Sequence, residues 1–203
     1  YTHFVYDRLL DKEGLGSKIA TKKLVEHIKR LKPDVVQLHN IHDHFLNYQI
    51  LFEYLNKTDI KIFWTFHDCW AFTGHCYHFV EFGCMKWQSE CCNCPDRYFF
   101  IDRSRKNFLL KKQLFSPNKN LTIVSCSNWM KNVVKQSFLK NKRVQVIHNG
   151  IDLSIFKPQF GLKKSDGKYY MMKFRISHNF ELGKMYIGNE IVLYLFNEEN
   201  EKF

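Results

Sequence analysis

Residues 60–68 read IKIFWTFHD. The run 60–66 is almost continuously apolar, as a strand buried on both faces requires. His67 and Asp68 stand at its carboxyl end. A strand of this kind belongs to a parallel sheet, and the flanking sequence supplies the rest of one. Upstream, 44–56 has helical spacing, with Leu46, Ile50, Leu51, Tyr54 and Leu55 on one stripe. Before it, DVVQLH at 34–39 is a short Val-rich strand. Residues 17–31 predict a helix capped by Ser17, with Leu24, Val25, Ile28 and Leu31 facing the core and KPD ending it. Downstream, 104–115 is helical, LTIVSC at 121–126 is a strand, 127–139 is a helix capped by Ser127, and VQVIHN at 144–149 is a last strand. Strands alternating with helices imply an α/β, doubly wound parallel sheet with helices on both faces.

Ligands of such sheets bind beyond the carboxyl ends of the strands. The polar residues at those ends are His39, Asn40 and His42; His67 and Asp68; Ser125 and Ser127; and Asn149, Gly150 and Asp152. A neutral imidazole at position 67 can hydrogen-bond a substrate hydroxyl. Asp68 either orients it or caps the following turn. Of His39 and His42, one is expected to line a pocket and the other to lie on the surface. Ser127 and the amides of 128–130 make a helix N-terminus, a place that attracts anions. Trp129 is expected in the core.

Between strand 60–66 and helix 104–115 lies an excursion, about 67–101, that holds HDCWAFTGHC and then CCNC at 91–94. Long structureless loops seldom hold their shape unaided. Cys76, Cys84, Cys91 and Cys94 are candidates for one structural Zn²⁺, a closed four-thiolate site with no open position for chemistry. Cys91 and Cys94 form a C-x-x-C chelate pair, whereas the C-x7-C between 76 and 84 is looser. Cys92 is the spare thiol. Cys69 and Cys126 read as small buried hydrophobes. The rival reading is four unligated thiols packed in an aromatic loop.

The 203 residues suffice for one sizeable domain. Of 31 Lys and Arg, eleven fall between Arg103 and Ile151, where there is no Asp or Glu; the other 20 face 20 Asp and Glu. This concentration implies a basic face able to meet phosphates, anionic lipid or nucleic acid. Nucleic acid is not expected, because no base-stacking aromatics interleave the lysines. No run of eighteen apolar residues and no signal peptide is present in the sequence. Seven Cys without an export signal point to reduced thiols or metal.

PDVVQLHN, FWTFHDCWAFTGHC, CCNCP, LTIVSCSNWM and VQVIHNGIDLSIFKP occur in a fixed order. Together they resemble the N-terminal domain of family 4 glycosyltransferases, nearest the bacterial subgroup that builds capsular and exopolysaccharides. The resemblance runs from about residue 7 to 158. It implies one half of a two-domain GT-B-type enzyme that retains anomeric configuration and generally needs no metal for chemistry. The half seen here would bind the acceptor, a saccharide or lipid-linked saccharide, and a second domain would bind the nucleotide sugar. His67 matches the strand-end His of the family and becomes the catalytic candidate, with His39, Asn40, His42, Asp68 and Ser127 lining the cleft. Asn149, Gly150 and Asp152 match the stretch leading to the interdomain hinge. The enzyme would be cytoplasmic, peripheral at the anionic inner membrane face. The first strand and Gly-rich loop of the family are missing, so the fold is expected to be incomplete at both ends. Domain 1–158 is followed by an aberrant tail, 159–203, in place of the donor-binding domain. Glu190 and Glu198 keep an E-x7-E spacing there that is read as coincidence. On this reading the chain alone is inactive. A basic, zinc-stabilised binding module without catalysis is the alternative.

Overall fold

The computed structural model describes residues 5–42, 44–95 and 101–150 (the side chains of 7 and 8 excepted), with the backbone of 169–175 and 190–196. The chain divides into two units, Tyr1–Asn149 and Gly150–Phe203. In the first, a short π-helical turn at Val5–Leu9 precedes α1 (Lys18–Leu31), β1 (Val35–Leu38), α2 (Tyr48–Leu55) and β2 (Lys61–Phe66). The excursion follows, held in three 3-10 turns at Trp70–Phe72, Val80–Phe82 and Lys86–Gln88. Then come α3 (Ser104–Phe115), β3 (Leu121–Ser125), α4 (Asn128–Gln136) and β4 (Arg143–Val146). All four strands are parallel and lie in the order β1-β2-β3-β4. In the second unit, β5 (Tyr169–Arg175) and β6 (Glu190–Phe196) form an antiparallel pair in which Glu190 sits opposite Arg175. Asp152 and Glu198 lie outside the described residues.

β2 is interior to the sheet, and its burial explains the apolar run. Ile62, Trp64 and Phe66 are all 3% exposed or less. Strands in strict sequence order, joined by right-handed crossovers, send α2, α3 and α4 to one face. Against that face Trp64 meets Phe115 edge-on at 5.0 Å, and Phe52 packs on Phe115 at 4.5 Å. Each such fully buried ring stabilises by about 1.5–3 kcal/mol relative to exposure. The register aligns Phe66 with Ser125 and Ser125 with Val146, so the residues that follow these strands emerge along one edge.

Two helix expectations change. Ser17 has φ 48° and makes no cap bond; its Oγ donates to the His44 carbonyl instead. The buried positions of α1 are Thr21, Val25 and Ile28, while Leu24 and Leu31 are exposed. Thr21 takes a core place because its hydroxyl is fully used, donating to the Ser17 carbonyl and accepting from the Asn47 amide. Asn47 also caps α2, accepting from Ile50 N at 3.0 Å.

The excursion is pressed against the start of α3 at Gly74. A Cβ there would sit 2.6 Å from the Ser104 carbonyl oxygen and 2.8 Å from its Cα. Backbone cannot yield as a side-chain tip does, so Gly74→Ala should cost about 1–3 kcal/mol. A thermal melt should show a loss of about 2–4 °C per kcal/mol. An unchanged Tm would mean that the excursion is not seated there.

Candidate active site

β1 and β2 bring His39 and His67 together. His39 Nδ1 lies 3.1 Å from His67 Nε2, and the rings stack at 5.5 Å with 18° between planes. Gln37, two residues back on β1, places its side-chain nitrogen 3.1 Å from His39 Nε2. An amide nitrogen only donates. With it facing His39, Nε2 of His39 must accept, so its proton sits on Nδ1 and is donated to His67 Nε2. Neutral His67 then carries its own proton on Nδ1. Both rings are exposed, and the His39 backbone is fixed by Trp64, whose indole N–H donates to the His39 carbonyl at 2.9 Å. The result is a two-imidazole platform at the ends of two adjacent strands.

His42 and Asp68 face inward. His42 is 8% exposed and donates from Nε2 to Asp68 Oδ2 at 3.0 Å. The other carboxylate oxygen, Oδ1, accepts from the Trp70 amide at 2.9 Å. Asp68 therefore caps the first 3-10 turn and holds His42. His42 is not a surface residue, because its ring packs edge-on to Tyr77 at 4.8 Å and against Trp70 at 5.4 Å. Asn40 is exposed beside His39.

Ser125 and Ser127, at the end of β3, lie along the same edge. Ser127 caps α4, accepting from Met130 N at 3.1 Å, and the buried Ser125 hydroxyl donates to the Ser127 carbonyl. His148 Nδ1 donates to the Cys126 carbonyl at 3.2 Å. Asn149 and Gly150 are exposed. Trp129 departs from expectation: it is 47% exposed at the open end of α4 and stacks on Phe79 of the excursion at 6.3 Å. Cys69 is buried, which pushes its thiol up to about 12, whereas Cys126 is only half-buried.

Beneath this edge lies a polar network that sequence reasoning missed. Asp11 is fully buried. Its Oδ2 accepts from His75 Nδ1 at 2.9 Å and from Arg103 N at 2.7 Å. Its Oδ1 and its carbonyl accept from Asn107 Nδ2. Glu13 accepts from Trp70 Nε1 at 3.1 Å and, through a very short contact, from the Tyr77 hydroxyl. Lys111, 1% exposed, donates to the carbonyls of Trp70, Thr73 and Gly74 at 2.8, 3.3 and 3.3 Å, with its ammonium 3.5 Å above the Trp70 ring. Burial draws its pKa down to about 7, opposed by Glu13 and other nearby acids. Three carbonyls match the three protons of an ammonium.

The basic stretch does not lie wholly on the surface. Lys111 is internal, and Lys135 donates to the Lys140 and Lys142 carbonyls. Lys61, Lys119, Lys142 and Arg143 border a surface depression of about 490 Å³ at the amino ends of β2, β3 and β4, the opposite edge from His39 and His67.

Comparison with known proteins identifies the family. The profile described as Glycosyltransferase Family 4 matches residues 2–155. The putative colanic acid biosynthesis glycosyl transferase WcaC of Escherichia coli (strain K12) is 30% identical over 133 residues, covering 60% of this chain and 32% of WcaC. The chain thus spans about a third of the length of that curated relative. No solved structure matches it.

Asp68 gives a test of the inner layer. Burial alone raises its carboxyl, but the bonds from His42 and the Trp70 amide outweigh burial and hold it below the usual range. A carboxyl lowered on folding adds stability above its unfolded pKa of about 3.9, and that stability is lost as pH falls through the folded value. Asp68→Asn should therefore cost about 1–3 kcal/mol at pH 7. It should also flatten the fall in Tm below about pH 4. Melts of both proteins from pH 3 to 7 check this; parallel acid limbs would remove the carboxylate from the role.

Proposed function

Because the chain belongs to glycosyltransferase family 4, we propose that it is the acceptor-binding half of an exopolysaccharide glycosyltransferase. The reaction moves a sugar from a nucleotide sugar to a hydroxyl of a saccharide or lipid-linked saccharide, with retention of anomeric configuration. The observation that carries this reading is the His39–His67 platform at two adjacent strand carboxyl ends, inside the stretch that matches the family. His67 is the catalytic candidate: its Nδ1–H meets a sugar hydroxyl, and His39 fixes the tautomer that keeps the proton there. Asn40 stands beside them as a further polar contact, while Ser127 shapes the edge through the start of α4. His42 and Asp68 support the platform from below and do not touch substrate.

The acceptor side also needs a place for a lipid tail. No helix among the described residues is long and apolar enough to cross a membrane. Peripheral contact of a cytoplasmic protein with an anionic leaflet uses the Lys61, Lys119, Lys142 and Arg143 edge, each cation near the surface adding about 1 kcal/mol. Donor chemistry falls to a second domain. The second unit of this chain contributes, among the described residues, an antiparallel pair of strands and no parallel sheet.

Two outcomes follow. The 203-residue chain, incubated with a panel of nucleotide sugars and saccharide acceptors, should release no product above buffer hydrolysis; turnover would overturn the division of labour. In a chain that also carries the donor-binding domain, His67→Ala should lower kcat/KM by about 10²-fold or more while Tm stays unchanged. A folded, fully active His67→Ala enzyme would end the assignment.

A further inference from the structure

The Cys-rich part of the excursion, beyond His67 and Asp68, is built around a sulfur cluster. Cys76 and Cys94 are eighteen residues apart in sequence, and their Sγ atoms are 3.6 Å apart. That is far beyond a disulfide bond of about 2.05 Å. It is close to the separation of about 3.8 Å that two thiolates take when they share a tetrahedral zinc with Zn–S near 2.3 Å. Cys76, Cys84, Cys91 and Cys94 all border one cavity of about 10 Å³, walled by Phe79 and Trp87. Such a space takes a single water-sized sphere.

The backbone around the cavity is shaped to present sulfur. Gly83, at φ +55°, turns the chain just before Cys84. Asn93, at φ 44°, folds the C-x-x-C so that Cys91 and Cys94 reach the same space. Lys86 donates to the carbonyls of Cys92 and Asn93 at 3.0 and 2.8 Å, tying the turn after Cys84 to the C-x-x-C turn. Cys91 sulfur receives a hydrogen bond from the Gly74 amide.

His75 competes for the site on distance alone: its ring nitrogen, Cys76 Sγ and Cys94 Sγ all lie within 4.8 Å of one another. The cavity decides against it as a ligand: the four cysteines border that space and His75 does not. Its Nδ1 is bonded instead to Asp11, which is itself fixed by Arg103 N and Asn107. Cys84 is half-buried at the wall of the same cavity. Four thiolates around Zn²⁺ leave two negative charges, and the surroundings answer that excess with Lys86, which borders the space, and the Gly74 amide. A three-thiolate, one-imidazole site would leave a single negative charge.

We propose that Cys76, Cys84, Cys91 and Cys94 bind one structural Zn²⁺ as thiolates, with His75 outside the coordination sphere. Binding displaces the thiol protons and closes the excursion over the sheet edge. Cys92, which also borders the cavity, remains the spare thiol.

The test is metal content of the chain purified without chelator from zinc-supplemented cells. One zinc per chain is expected, retained by His75→Asn and Cys92→Ser and lost by Cys84→Ser. Should Cys84→Ser fail to fold, cobalt exchanged into the unaltered chain gives the ligand count. Tetrahedral visible bands with four-thiolate charge-transfer intensity support the assignment; three-thiolate intensity overturns it. Metal-free protein with freely titrating thiols, or zinc lost by His75→Asn but kept by Cys84→Ser, would also overturn it. None of these readouts depends on sugar transfer.

Discussion

The buried carboxylate of Asp11 is the constraint on which the rest of the first unit hangs. A lone ion in the interior costs several kcal/mol unless it is met by donors. Asp11 is met three times: by the His75 ring, by the Arg103 amide where α3 begins, and by Asn107 one turn into that helix. One side chain thereby joins the segment before α1, the excursion and α3. Losing any partner leaves a charged group unsatisfied, which is worse than never burying it. The three segments therefore stand or fall together. That explains why an excursion with only three short 3-10 turns of its own lies so close to α3 that Gly74 has no room for a methyl group.

Trp70 carries the same logic toward the strand ends. Its indole N–H satisfies Glu13, its face lies under the Lys111 ammonium, and its backbone amide donates to the Asp68 carboxylate. Asp68 then holds His42, which packs beneath the edge where His39 and His67 emerge. A site residue on a strand end is already more precise than one on a loop. Here the layer beside it is an alternation of acid, ring and cation joined by hydrogen bonds.

Most of the sheet could be read from periodicity. The four strands and the helices between them lie within a few residues of the expected spans, because a buried parallel strand leaves an unambiguous apolar run and β2 is such a strand. The strand-end histidines were legible for the same reason: once β2 is placed, position 67 has only one place to be. The inner layer was not legible. DKEG at 11–14 has the composition of a solvated turn, and nothing local marks Asp11 and Glu13 as interior. Lys111 sits among Lys106 and Lys112 in what reads as a solvated helical face. The partners of all three are 30 to 100 residues away, and pattern reading sees only neighbours. Ser17 and Trp129 failed differently. Both occupy ordinary helix-start positions, but tertiary demands redirected the first to the His44 carbonyl and left the second stacked outside on Phe79.

The placement of charge separates two tasks that composition alone had merged. The basic residues could have lined the reaction edge, where they would meet a nucleotide diphosphate. Instead, the depression bordered by Lys61, Lys119, Lys142 and Arg143 lies at the amino ends of the strands, and the histidines lie at the carboxyl ends. The six residues of β2 stand between them, about 20 Å at 3.3 Å per residue. A cation at that distance is beyond two Debye lengths at physiological salt, so through solvent it contributes almost nothing to charge developing at His67. Any anion at the basic edge is therefore held for position and not for chemistry. On the proposed function, a donor diphosphate would find its countercharge elsewhere: at the α4 N-terminus, which Ser127 caps, or on a facing domain.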